Sequence, residues 1–347
     1  MPTSIPPVPI QRDHKGVRRA RRLALAALAV LLLCFAAGAG FSYVVTTKVE
    51  EGIEQNLARE TRNGRKLTCA TREFFGFPFR VAMRCDAPRL EIERPSGKIV
   101  LSAARLTGVA QIYDLNHVIV EAQGPLSLAA PGLSETEADW GSLLASFVVQ
   151  GGGVDHADMA MESPSLRVRD GQNMIATQAE RFEIHARRDS ARSPEDGAVE
   201  ISSRLTRLAS PVLDGLMGEA SPVDGSADVS ISKADALQPR ASEAPALPLE
   251  RWRLAGGAVR IAAVNITKGN LKAGASGELQ LDELHRAVGR LDTSVEGADA
   301  LLPRLGLPST ALAFLKLSGG KLRLPVTLIN GRMAVGPVSV ARLIPLY

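Results

Sequence analysis

Beyond about residue 46 the chain is written in period two. Phe79, Val81, Met83 and Cys85 alternate with Arg80, Arg84 and Asp86; Leu90 and Ile92 alternate with Glu91 and Glu93. Leu166 and Val168, then Phe182, Ile184 and Ala186, repeat the pattern against Arg167, Arg169, Glu183 and His185. It returns at Val229 and Ile231, Val259 and Ile261, Leu279 and Leu281, and in the run Leu322, Leu324, Val326 and Leu328. Successive strand residues point to opposite faces, so this spacing predicts antiparallel sheet with one apolar and one wet face. Helical signals are few. Ser134–Leu144 opens with a capping-box pattern, Ser134-Glu135-Thr136-Glu137. Residues 209–218, 248–255 and 298–316 are the other short candidates, the last interrupted by Pro303 and Pro308. The fold class is therefore mainly β: an N-terminal helix, then a large curved antiparallel β-sheet body with a few short helices.

The N-terminal helix comes from a different pattern. Leu23 to Val45 is 23 residues without a charge, and roughly 20 helical residues cross a hydrocarbon core about 30 Å thick. Six basic side chains and one acid precede it, while Lys48, Glu50 and Glu51 follow. The positive-inside rule leaves residues 1–22 in the cytoplasm and exports the rest. A cleaved signal peptide using Ala37-Gly38-Ala39 is the competing reading. The apolar run continues through Phe41, Tyr43, Val44 and Val45 without a polar cleavage region, which favours an uncleaved anchor. Val45, Val49, Ile53 and Leu57 then recur every four residues, extending the helix over 46–63 with one side resting on the body. Asn63-Gly64 ends it. Two polar stretches, 187–197 and 233–248, break the strand pattern and suggest a first β-rich part at 64–190 and a second at 198–347.

Charge narrows the function. The formal net charge is +4, but residues 23–347 carry 35 basic against 36 acidic groups. Such a body has no cationic field for phosphate backbones, so no nucleic-acid partner is expected. Apolar residues form 45% of the chain and aromatics only 4%, so any core or binding surface is built from Ala, Val, Leu and Ile.

Cys34 lies within the apolar run, whereas Cys69 and Cys85 fall in the exported part, where thiols oxidise. A hairpin turning on Gly76-Phe77-Pro78 pairs Lys66–Arg72 with Phe79–Asp86. A centre at Phe77 sets Cys69 opposite Cys85, within reach of a disulfide. Free thiols or a metal pair are the alternatives, but no His or further Cys lies near enough to complete a zinc site. No catalytic constellation stands out. Asp155-His156-Ala157-Asp158 reads as a solvated segment, Ser318-Gly319-Gly320-Lys321 as a turn into a strand, and Gly151-Gly152-Gly153 lacks the rest of a phosphate loop. No catalytic residue, cofactor or metal ligand is expected. Trp140 with Gly151-Gly152-Gly153-Val154, and Trp252 with Gly256-Gly257-Ala258-Val259, suggest an internal duplication.

Three stretches carry a resemblance. Cys69 to Asp86, with Phe75-Gly76-Phe77-Pro78-Phe79-Arg80 at its centre, resembles a bacterial envelope family known as domain of unknown function 2125. So do Tyr113 to Pro125 and the ending Gly320-Lys321-Leu322-Arg323-Leu324-Pro325 through Asn330-Gly331-Arg332 to Gly336-Pro337. The resemblance spans most of residues 60–347 and implies a Gram-negative inner-membrane anchor with a periplasmic β-rich domain. It supplies no activity. A looser likeness, in Gly277 to Glu283 and Gly289-Arg290-Leu291, is to AsmA-like proteins, whose long curved sheets are thought to hold lipid.

Two functions are expected from these features. One is a non-enzymatic, membrane-anchored protein that binds lipid or another hydrophobic ligand in an aliphatic trough. Burial of a methylene is worth about 0.8 kcal/mol, and acyl chains need no polar recognition. The other is a structural or adaptor module with an envelope protein partner. Apolar sheet faces packed on each other as a closed sandwich would favour the second.

Overall fold

The computed structural model describes residues 14–347 except 77, 95–96, 151–152, 190–196, 239–246, 298–320 and 337; at 14–24, 26, 321 and 338 only the backbone is described. Helix α1 runs unbroken over His14–Arg62, 49 residues. The part from Ala27 contains a stretch long and apolar enough to cross a membrane. Its side chains stand bare, with Leu31 67% and Leu33 69% exposed, a surface that water does not tolerate on a soluble helix. Further along, Val45, Val49, Ile53 and Leu57 are half-buried while Lys48, Glu51 and Glu54 are exposed. The helix rests this stripe on the body, as the four-residue spacing indicates. Its end is made by Asn63, whose N–H donates to the Glu60 carbonyl at 3.0 Å, and by Gly64 at φ 77. That left-handed stop favours glycine.

The body is two antiparallel sheets through which the chain passes alternately. The smaller has seven strands in the order β1-β4-β5-β8-β9-β12-β13: Arg65–Thr68, Arg89–Arg94, Gly97–Ser102, Leu126–Ala129, Thr136–Asp139, Ser165–Asp170 and Asn173–Gln178. The larger has fifteen, β2-β3-β6-β7-β10-β11-β14 and then β15 to β22 in sequence order. Its first seven are Thr71–Phe75, Arg80–Asp86, Arg105–Gln111, Asp114–Gln123, Ser142–Gln150, Gly153–Glu162 and Arg181–Arg188. The remainder are Val199–Leu208, Val223–Ile231, Val259–Lys268, Leu271–Leu281, Ala287–Glu296, Lys321–Ile329, Arg332–Val335 and Val338–Arg342. Pairing of β14 with β15 carries the sheet across the polar stretch at 187–197.

Each crossing between the sheets takes only two residues: Cys69-Ala70, Ala87-Pro88, Ala103-Ala104, Gly124-Pro125, Trp140-Gly141, Ser163-Pro164 and Ala179-Glu180. Hydrogen bonding continues through them. Ala70 N–H donates to Asp86 O at 2.9 Å, Ala87 to Ala104 at 2.8 Å, Gly141 to Glu162 at 2.8 Å and Ser163 to Glu180 at 2.8 Å. The two sheets are therefore long hairpins folded along one crease. The residues there suit a fold line. Small side chains let the backbone turn sharply, and the prolines interrupt the ladder of donors. Ala87 and Ser163, each preceding a proline, sit at φ 46 and 49. The larger sheet is also bent locally. Gly277 adopts φ 151, and a Cβ there would lie 2.1 Å from the Arg290 carbonyl oxygen of the neighbouring strand.

Two sequence expectations are corrected. Ser134–Leu144 is not a helix but β9 and the start of β10. Thr136 and Ala138 are paired with Leu128 and Leu126 on one side and with Val168 and Leu166 on the other. Glu137, the would-be capping residue, instead forms an ion pair across strands with Arg167, and Glu135 one with Arg169 at 2.7 Å. Pairing on both edges outweighs a local capping signal.

The first hairpin is also out of the expected register. Arg72, not Cys69, lies opposite Cys85, and Arg65–Thr68 pairs with β4 instead. Phe75 pairs with Ala82, and Arg80 N–H donates to the Gly76 carbonyl at 3.2 Å across the turn; Phe77 lies outside the described residues. Cys69 sits in the crease and still reaches Cys85, with Cα atoms 5.3 Å apart in a disulfide.

Of the remaining helix expectations, 209–218 contains α2 (Pro211–Met217) and 248–255 overlaps α3 (Leu247–Leu254); 298–316 lies outside the described residues.

Candidate functional site

The alternation read from the sequence becomes one surface when strand register is followed across the larger sheet. Val81, Met83 and Cys85 pair with Ala110, Gly108 and Leu106, and these with Val118, Val120 and Ala122. The same face continues through Phe147, Ala145 and Leu143 of β10, Met159 and Met161 of β11, and Ile184 and Phe182 of β14. It passes to Ile201 and Leu205 of β15, Val229 and Ile231 of β16, and Ile261 and Val259 of β17. Leu279, Leu291 and Val326 carry it to β20. Fifteen strands at about 4.8 Å spacing make a face roughly 65 Å long across the strands. The smaller sheet repeats the design on one side, with Leu67, Leu90 and Leu101 in one row.

These aliphatic side chains are half-buried almost throughout. Among the described residues, the buried apolar set is only Val81, Ala82, Cys85, Ala145, Ala179, Ala198, Val223, Trp252 and Leu328. Two sheets shut face to face would bury both inner faces at close packing. Here the apolar side of the larger sheet is half-buried rather than shut away, and among the described residues that sheet begins at β2 and ends at β22 without closing on itself. This open apolar face is the candidate trough.

Charge appears on the apolar face chiefly at its borders, where acids answer it. Arg72 pairs with Glu54 of α1, and Arg188 with Asp235 at 2.9 Å. Lys268, 1% exposed, meets Asp214 of α2 at 2.5 Å and donates to the Ser221 carbonyl at 2.6 Å. The buried ammonium is thus paired with a carboxylate and hydrogen-bonded to a backbone carbonyl. Sequence patterning did not mark Lys268, because its partners lie 54 and 47 residues away.

The polar face holds open hollows rather than enclosed cavities. One, about 590 Å³, is lined by Asn265, Ser276, Asp292, Ser294 and Arg323. Another, about 370 Å³, lies between hairpin ends and is lined by Phe79, Arg80, Tyr113, His117 and Ile119. Asp114 also lines the second, with His117, but among the described residues no hydrogen bond joins a carboxylate to a histidine in either hollow. His117 Nε2 meets Ser146 Oγ at 2.9 Å. His156 pairs with Asp155 at 2.6 Å and His185 with Asp158 at 2.7 Å, both on exposed strand positions. Gly153 and Lys321 open strands β11 and β20, while Gly151, Gly152 and 318–320 lie outside the described residues. Among the described residues no three His, Cys, Asp or Glu side chains gather where they could hold a metal ion.

Of the hairpin residues singled out in the sequence, Gly76, Pro78, Phe79 and Arg80 come together at the hollow beside Tyr113, and Phe79 is 72% exposed. Cys69 and Cys85 lie at the opposite, crease end of the same hairpin. One ionic cluster went unforeseen. Glu250 of α3 is hydrogen-bonded by Arg253 at 2.7 Å and by the Tyr347 hydroxyl at 2.8 Å. His285 stacks on Tyr347 with ring centroids 4.3 Å apart. Arg253 first, then Tyr347, hold the Glu250 carboxyl down at about 2; burial pushes the Tyr347 phenol up.

Fold and site together define a class: a β-rich protein with an N-terminal apolar helix of membrane-crossing length and an open, creased sheet bearing a long aliphatic face. The chain belongs to the family described as uncharacterized protein conserved in bacteria (DUF2125), which matches residues 43–343. No curated protein matches it.

Proposed function

We propose that the protein is anchored in a bacterial inner membrane by α1, with its N-terminus cytoplasmic and its sheets periplasmic, and that the trough holds the acyl chains of a lipid. The observation that carries this reading is the register-continuous aliphatic face, half-buried over nearly its whole length. At about 0.8 kcal/mol per buried methylene, a long acyl chain laid along it gains several kcal/mol with no polar contact. Holding, rather than bond-making, is the role that such a surface serves. The disulfide fits an oxidising compartment, and the basic N-terminal cluster fits the cytoplasmic side.

Site-specific photo-crosslinking in the full-length protein tests the reading. A photoreactive residue at Ile201 or Leu291, on the apolar face, is expected to form adducts with phospholipid or fatty acid. The same residue at Ser202 or Arg290, one position along and on the polar face, is not. Equal yields on both faces, or protein adducts alone at Ile201 and Leu291, would replace the trough with an adaptor surface.

A further inference from the structure

The aromatic residues of this aromatic-poor body are unevenly placed. Phe75 and Phe79 flank the turn between β2 and β3, and are 41% and 72% exposed. Tyr113, in the turn between β6 and β7, is 76% exposed, and Leu115 beside it 42%. The two turns are joined, since Ile112 N–H donates to the Phe79 carbonyl at 3.1 Å. Arg80 lines the same hollow, and Arg84 lies 5.7 Å over the Phe75 ring. Aromatic rings with neighbouring guanidinium groups are the side chains that settle at the headgroup level of a bilayer.

The position of α1 brings this patch to the right height. The Gly64 carbonyl accepts from Glu93 N–H at 2.8 Å, at the outer end of β4. Glu54 pairs with Arg72 on β2, beyond the crease, and α1 also lies against β3. A straight helix through these points continues toward the outer end of the larger sheet. From Glu54 to Val45, where the uncharged run ends, is about 13 Å at helical rise. From Arg72 to Gly76 is about 13 Å at strand rise. The helix leaves its apolar stretch where the aromatic turns stand.

We infer that Phe75, Phe79, Tyr113 and Leu115 form a second, interfacial contact with the lipid bilayer, seating the start of the sheet against the membrane that α1 crosses. The partner is the headgroup region of that bilayer. This contact rests on α1 being in the bilayer and does not require lipid in the trough.

The experiment uses full-length protein in phospholipid vesicles, with a photoreactive residue placed singly at Phe79, Tyr113, Leu284 or Leu31. Leu284 is 59% exposed, in the turn between β18 and β19, and Leu31 lies in the apolar run. Lipid adducts at Phe79 and Tyr113, at least fivefold above Leu284, are expected. They should persist when the trough carries Ile201→Asp. No adduct at either turn with a strong adduct at Leu31, or equal yield at Leu284, overturns the interfacial contact while leaving the anchor intact. Absence of lipid adducts at Leu31 overturns the anchor and the contact together.

Discussion

Cys69 and Cys85 show how a correct pairing can follow from an incorrect register. Sequence parity placed them opposite each other in one hairpin. In the structure the bond instead ties the crease to β3, where Cys85 is fully buried. Closing a loop with a sequence separation of 16 stabilises by about 3 kcal/mol in the chain-entropy model. The Cys69→Ala/Cys85→Ala variant is therefore expected to lose about 3 kcal/mol in equilibrium denaturation, and the wild-type protein to lose a similar amount under reductant. Glu250 makes a second prediction at this scale. Its carboxyl is lowered in the folded protein from 4.5 to about 2, so its contribution is present above pH 4.5 and is lost as pH falls toward 2. Trp252, 5% exposed two residues away and donating to the Ser232 carbonyl at 2.7 Å, should report loosening of α3 by a fluorescence shift across that window. Glu250→Gln should abolish the acid dependence of the shift.

At the scale of elements, strands were legible because period two survives in every half-sheltered strand, from Val81 to Leu328. The crease was not. Ala87-Pro88, Gly124-Pro125 and Ser163-Pro164 read as ordinary turn residues in sequence, and only their backbone bonds show one fold line crossing all seven strand pairs. The failed helix at Ser134–Leu144 has the same origin: local capping chemistry is visible in four residues, whereas two-sided pairing with Leu126, Leu128, Leu166 and Val168 is a long-range fact. The trough was legible only in outline. Which alternating residues share a face depends on register, and register cannot be read from one strand. The bend at Gly277 gives a test. Gly277→Val forces a β-branched side chain onto the Arg290 carbonyl and should cost about 2 kcal/mol or more in thermal or denaturant unfolding. Ser276→Val, on the adjoining polar face, should cost under about 1 kcal/mol.

Over the whole molecule, α1, the crease and the long sheet make a directional object. The first strands of both sheets lie against α1, and the remaining strands lead away from it in near-sequence order, ending at β22. On the proposed reading, an aliphatic face laid along that order would give a hydrophobic ligand a continuous path leading away from α1. A charge in the middle of it should be felt by ligand and not by fold, because the face is half-open and Asp can be solvated there. Ile201→Asp is thus expected to reduce co-purifying lipid severalfold while keeping a cooperative unfolding transition, and Ser202→Asp to leave both unchanged.

The most direct measurement is mass spectrometry of the small molecules retained by the full-length protein, purified in parallel as wild type, Ile201→Asp and Ser202→Asp. Acyl lipid retained by wild type and Ser202→Asp and depleted from Ile201→Asp is the predicted result. Wild-type protein that is folded, disulfide-bonded and free of any acyl-chain ligand, even after incubation with phospholipid and fatty acid, would contradict the account.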